Sequence, residues 1–153
     1  MSRLVRHIRG TLSEVAEAAA DAEAFCADAG GEESQCLRIG LALDELAANA
    51  LVHGAGRAVF PADIRVDVWS DDEMLHLCVR AKGPRFDPRD KRPAMPDQEF
   101  ALGGRGLTLV LSFADRLTYA REDDRNVTTF SVLKRGKTEE ADAAALEDGG
   151  NKA

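Results

Sequence analysis

What this chain has little of narrows its class first. Its 153 residues include only three cysteines, Cys26, Cys36 and Cys78. The count is odd and the spacing fits neither a zinc site nor a redox pair, so three reduced thiols in a reducing compartment are expected. No apolar run approaches the length that spans a bilayer. The first ten residues, MSRLVRHIRG, carry no apolar stretch of the signal-peptide kind, so a cytoplasmic protein without membrane contact is expected. A cationic surplus is missing too. The formal charge is −7, which repels polyanions, so no direct nucleic-acid partner is expected. A protein partner with a basic face stays open. Internal repeats are absent.

What is present is ordinary for a soluble globular chain: 44% hydrophobic and 31% charged residues. The length suits one domain, which can bury roughly 70% of the surface its unfolded chain exposes without a disulfide or metal staple.

Residues 3–9 alternate loosely and read as a short strand. Residues 11–29, TLSEVAEAAADAEAFCADA, read as a helix capped by Thr11, with Glu14 three positions on as in a capping box, and stopped by Gly30 and Gly31. A second helix is read over 34–53. Its Ile39, Leu43, Leu46 and Ala50 recur at helical spacing, and Gly54 and Gly56 end it. Residues 63–69 and 74–81 alternate with a two-residue period, Ile64, Val66 and Val68 on one face and Leu75, Leu77, Val79 and Ala81 on the other strand's matching face. Ser70-Asp71-Asp72 between them reads as a hairpin turn. Residues 82–104 hold prolines, glycines and many charges, the composition of a long functional loop. Residues 105–114 return to apolar helix, and 116–121 and 126–134 read as a hairpin around Asp123-Asp124. The domain is taken as 1–135, and 136–153 as a mobile acidic tail. The order predicts a two-layer α/β (α+β) sandwich, a mixed, mostly antiparallel sheet covered on one face by three helices.

Three stretches can carry chemistry. In DELAANALVH (44–53), Glu45, Asn49 and His53 stand at i, i+4 and i+8, one polar stripe on the second helix. The stripe reads either as a solvated face or as a carboxylate and an amide acting together, the carboxylate on a proton and the amide oxygen on Mg²⁺. In GGRGLTLV (103–110), glycines lead into a helix whose first N–H groups suit a phosphate, or form a hinge and cap. In VRAKGPRFDP (79–88), a strand ends, turns at Gly83 and opens the long loop. His53 reads as a lid or phosphate contact, or as a partner of helix-end carbonyls. Arg85, Arg89, Lys91 and Arg92 make that loop's first half basic, which suits phosphates, an acidic partner, or plain solvation.

Together and in this order the three stretches resemble the boxes of the GHKL (Bergerat-fold) ATPase/kinase superfamily. Glu45-x-x-x-Asn49 looks like its N box, VRAKGPRFDP like its G1 box and GGRGL like its G2 box, with an ATP lid between the last two. The AxDExxxNxxxH form of the first box and the GPxFDP form of the second are closest to the anti-sigma factor serine/threonine-protein kinase family. The resemblance covers roughly residues 5–135. It implies nucleotide held between helices and sheet, with ATP and Mg²⁺ as cofactors. It implies Glu45 as general base and Asn49 as Mg²⁺ and nucleotide ligand. It puts Ala81, Gly83 and Phe86 of the second box near the base, and Gly104, Arg105, Gly106 and Leu107 of the third near the phosphates, although Arg105 also reads as an exposed lid residue. Thr129 is similar to a family threonine near adenine, or is simply a β-branched strand residue. The implied partners are an anti-sigma antagonist protein, whose serine or threonine is the acceptor, and a sigma factor; a homodimer is possible in such proteins.

One position departs from the pattern. The G1 box normally carries an aspartate two residues before its glycine, where it accepts a hydrogen bond from the adenine amino group. Here that residue is Ala81, which has no acceptor. Two functional classes follow: an Mg-ATP-dependent serine/threonine kinase, favoured by Glu45, Asn49 and the glycines, and a weakly binding or nucleotide-free relative acting by protein–protein contact alone, favoured by Ala81. A stand-alone histidine-kinase module fits less well, because no helix pair carries a phosphorylatable histidine.

Overall fold

The periodicities translate directly into elements. The computed structural model describes residues 2–53, 62–90 and 104–134. Strand β1 is Arg3–Ile8 and helix α1 is Leu12–Asp28. The capping box forms: the Glu14 N–H donates to the Thr11 hydroxyl at 3.1 Å, and the Thr11 N–H donates to the Glu14 carboxylate at 3.0 Å. The helix ends at Gly30, whose φ of +90° no β-carbon would tolerate easily. Helix α2 is Glu33–His53, strand β2 Ile64–Ser70 and strand β3 Met74–Lys82. Helix α3, Gly104–Phe113, precedes the hairpin of β4, Arg116–Glu122, and β5, Arg125–Leu133. Asp123 takes the left-handed backbone (φ +54°) that its tight turn needs.

The five strands form one sheet in the order β1-β2-β3-β5-β4. All four pairings are antiparallel, so the sheet is not mixed. The expectation of a mixed sheet arose because the long connections leave strand direction open. The hairpins fix only β2–β3 and β4–β5.

The helical layer also differs from expectation. Two helices, not three, cover the sheet: α1 and α2 pack on each other and reach its inner face, whereas α3 packs chiefly on α2. At ten residues α3 is about half as long as α2, and its contribution to the core is Val110, with Leu107 and Phe113 partly buried beside it. The core itself follows the predicted stripes. Ile39 and Leu43 of α2, Val66 and Val68 of β2, and Leu75 and Leu77 of β3 are all fully buried. The lid segment over 91–103, the helix-ending Gly54 and Gly56, and the tail over 136–153 lie outside the described residues.

The outer face of the sheet holds a serine–histidine–aspartate set. His76 lies 2.7 Å from the Ser131 hydroxyl through Nδ1 and 2.7 Å from the Asp71 carboxylate through Nε2, and its ring stacks on Trp69. Ser131 is 1% exposed, so its hydroxyl meets no substrate; the set ties the β2–β3 turn to β5.

Removing the α1 cap tests the sequence-level account of this layer. Thr11→Ala should lower unfolding free energy by about 1 kcal/mol, read as a urea midpoint shift at unchanged slope. An unchanged midpoint would mean that the cap is idle.

Candidate functional site

The seam between α2 and the sheet is a wedge. Down the inner face of β3 the side chains shrink: Leu75, Leu77, Val79, Ala81. Their partners on β5 are Val132, Phe130, Thr128 and Asn126. The α2 stripe likewise ends in Leu46 and Ala50. Large apolar groups close one end of the seam, with Phe130 the largest fully buried side chain. Small and polar groups leave the other end open. A pocket results, lined by Leu46, Asn49 and Ala50 from α2, Val79, Ala81 and Lys82 from β3, Phe86 and Pro88 from the following loop, and Asn126 and Thr128 from β5. Its cavity is about 40 Å³, room for a few waters.

Asn49 is the polar residue that stands out here. It is 6% exposed, and its Nδ2 has no hydrogen-bond partner, one of two such buried side-chain atoms among the described residues. A buried amide left unpaired costs about 1–3 kcal/mol. The polar stripe is therefore not a solvated face at this position. Glu45, one turn earlier, is partly buried and does not line the pocket. Burial, and secondarily the neighbouring Asp44 charge, push its carboxyl above the usual glutamate range. His53 ends α2.

The loop after β3 is bolted to the β4–β5 hairpin. Gly83, at φ +153°, donates its N–H to the Asp124 carbonyl at 2.9 Å, while Arg121 donates to the Gly83 carbonyl at 2.5 Å. Asn126 does most of the fastening. Its Oδ1 accepts the Phe86 N–H at 2.9 Å, the Tyr119 hydroxyl at 2.5 Å and an Arg121 N–H at 3.2 Å, and its Nδ2 donates to the Pro84 carbonyl at 2.8 Å. Asp87 is buried and held by Arg89, whose Nη2 lies 2.7 Å away; that guanidinium keeps the carboxyl below the usual range. Arg85 and Arg89 also stand over the Tyr119 ring, at 5.6 and 5.8 Å from its centroid. Part of the loop's basic charge is thus paired; Lys91 and Arg92 lie outside the described residues.

Of the predicted site residues, the pocket gathers Asn49, Ala81 and Phe86. Gly83 stands at the loop's start and Leu107 packs partly against the core. Gly104, Arg105 and Gly106 form the first turn of α3, and Gly103 lies outside the described residues. Thr129 is a correction. Strand alternation turns it to the opposite face, across from Cys78, with which its hydroxyl shares a hydrogen bond. Thr128, paired with Val79, faces the pocket instead. Counting back by twos from the apolar Val132 and Phe130 reaches Thr128, so the sequence held that signal. Asn126 gave none, because two of its partners, Phe86 and Pro84, lie some forty positions away.

This architecture is a known one. The chain matches the family described as "Histidine kinase-like ATPase domain" over residues 8–132, and it belongs to that family, within the GHKL (Bergerat-fold) superfamily of ATPases and kinases. Among solved structures it is similar to the RsbU and RsbW domains of Rv1364c from Mycobacterium tuberculosis, at 17% identity and a TM-score of 0.63, covering 87% of this chain and 33% of that one. It spans, then, about a third of that relative. It is also similar to the catalytic domain of histidine kinase ThkA (15% identity, TM-score 0.47, 88% and 98% covered). The Acinetobacter baumannii histidine kinase AdeS is a third (14%, 0.44, 89% and 70%). No curated protein matches by sequence.

Two outcomes follow from the geometry. Asn126→Ala should speed amide exchange at Phe86, whose N–H it holds, and cost about 1–2 kcal/mol of stability; unchanged protection at Phe86 would show the loop is held by other means. For Glu45 the sign is set by its raised pKa. Ionising it costs the folded state more than the unfolded one, so stability falls as pH rises from the ordinary 4.5 through the folded value. Glu45→Gln should therefore stabilise the protein at pH 7, by roughly 0.5 kcal/mol or less given its partial exposure, and leave it unchanged at pH 4. A destabilised variant at pH 7 would contradict the assignment.

Proposed function

We propose that this chain is a regulatory serine/threonine kinase of the anti-sigma type, which binds Mg-ATP in the wedge pocket and phosphorylates an antagonist protein. The observation that carries the reading is the Asn49 amide, buried at the pocket with its Nδ2 unpartnered. An amide in that state fits a ligand, and turned about it offers its oxygen to a hard cation. The residues fit a metal-bound phosphate group in two further respects. Gly104 and Gly106, in the first turn of α3, bring no side chains of their own there. No acidic residue stands in that turn to repel an anion. Among the described residues no cluster of three His, Cys, Asp or Glu could hold a metal alone, so Mg²⁺ would take Asn49 and rely on phosphates and water for the rest, as it commonly does.

Bound, Mg-ATP would supply the transferable phosphoryl group and the cation that offsets its charge. The chain's own part is positioning. Asn49 fixes the metal end. Val79, Ala50 and Phe86 pack against the base, and Gly83 starts the loop that carries Phe86. Glu45 accepts the proton of the attacking hydroxyl, and burial, which raises its pKa, makes it a stronger base than an exposed glutamate. The AxDExxxNxxxH and GPxFDP forms support an antagonist as acceptor, a sigma factor as the regulated partner, and a homodimer as a working state. The shared fold with the RsbU and RsbW domains is compatible with this.

Ala81 and the narrow cavity favour a second reading, in which the same surface works by protein–protein binding with little or no nucleotide. Calorimetric titration of Mg-ATP separates the two. The first reading expects binding by the natural protein, at least about tenfold weaker binding by Asn49→Ala, and a Glu45→Gln variant that binds normally but transfers phosphate about a hundredfold more slowly. Absence of heat at millimolar nucleotide would sink the kinase reading and leave the second.

A further inference from the structure

The base end of the pocket fits adenine less well than the metal end fits a metal, and the disagreement is specific. Recognition of a 6-amino group needs a fixed acceptor. Ala81, 7% exposed on the pocket wall, has none. Nor do its neighbours. Asn126 spends its Oδ1 on Phe86, Tyr119 and Arg121 and its Nδ2 on Pro84. Lys82 can only donate, and its ammonium lies 3.4 Å from Asp124. Asn49 is committed to the metal end by the proposed function, so its oxygen is not spare for a base. Thr128 has a hydroxyl, which gives and takes hydrogen bonds equally well. β3 is an interior strand, so its backbone is taken up by β2 and β5. The nearby carboxylates are committed elsewhere: Asp87 to Arg89, Asp63 to Arg125, Asp124 to Lys82. The remaining walls, Leu46, Ala50, Val79, Phe86 and Pro88, offer only apolar surface.

We infer that the pocket accepts purine nucleotides without selecting the 6-amino group, so that 6-oxopurine and 6-aminopurine triphosphates bind alike. This rests on the proposed nucleotide site and states what that site recognises. Binding comes from apolar contact with the ring faces and from the metal–phosphate end, neither of which reads the 6-position. Discrimination by hydrogen bonding arises when a buried acceptor would be left unpaired by the wrong base. Among the described side chains that line the pocket, none is a free fixed acceptor.

The test compares magnesium complexes of adenosine and inosine triphosphate, which differ at the 6-position, by equilibrium binding to the natural protein and to Ala81→Asp and Ala81→Asn. The asparagine variant adds an acceptor without burying a charge, and thermal melting checks that both variants fold. The inference expects dissociation constants within about threefold of each other for the natural protein, and a preference for the adenosine form of about tenfold once an acceptor is added. A natural protein that already prefers the adenosine form tenfold overturns the inference and leaves the kinase reading standing. If neither nucleotide binds the natural protein, both fall together.

Discussion

The packing of α2 on β3 and β5 is the contact on which the rest depends. It closes the core, and the same series of side chains that closes it also opens the pocket. Where Leu43 meets Leu75, Leu77 and Phe130, large groups fill the space between the layers. Two turns further along α2 the stripe has come down to Ala50, and β3 has come down to Ala81. Side chains that shorten along both α2 and β3 thin the packing there. That is why the pocket stands at the end where α2 carries Asn49, and why an amide there is buried without being packed.

Much of this was legible because each layer has a strict period. The alternation of Ile64, Val66 and Val68, and of Leu75 to Ala81, identified the inner face before any coordinates. Thr11 with Glu14 marked where α1 begins. What escaped notice had a physical reason in each case. Long connections carry no information on strand direction, so the wholly antiparallel sheet could not be read. The apolar run after the glycines announced α3, but its shortness, and so its place on α2 rather than on the sheet, depends on how much of the sheet α1 and α2 already cover. Thr129 was read as a site residue by resemblance, whereas the two-residue period places Thr128 on the pocket's face. Asn126 is a single polar residue at the start of a strand, and its hydrogen bonds to Phe86 and Pro84 exist only once the β4–β5 hairpin is brought beside the β3 loop.

Electrostatics divide the site into two ends. On the loop, carboxylates and guanidiniums satisfy one another: Asp87 with Arg89, Asp90 with Arg85 at 3.5 Å, and the Gly83 carbonyl with Arg121. These pairs are largely exposed, so each stabilises little. Their effect is geometric, since they fix where Phe86 and Pro88 stand. On α2 the opposite holds. Asn49 is an amide kept from water with its Nδ2 unsatisfied, beside a partly buried Glu45, and the cost is borne by the core to which Ile39 and Leu43 belong.

That cost explains why the two ends of the pocket differ. A polar group on α2 lines the pocket itself. A carboxylate at position 81 would sit on an interior strand between Ile64 and Asn126, one apolar and the other already fully engaged. Nothing there would offset its desolvation unless a base with an amino group were bound. An aspartate at this position is therefore stable only in proportion to its occupancy, whereas alanine is stable with the pocket empty. The chain carries the residue that favours the empty fold.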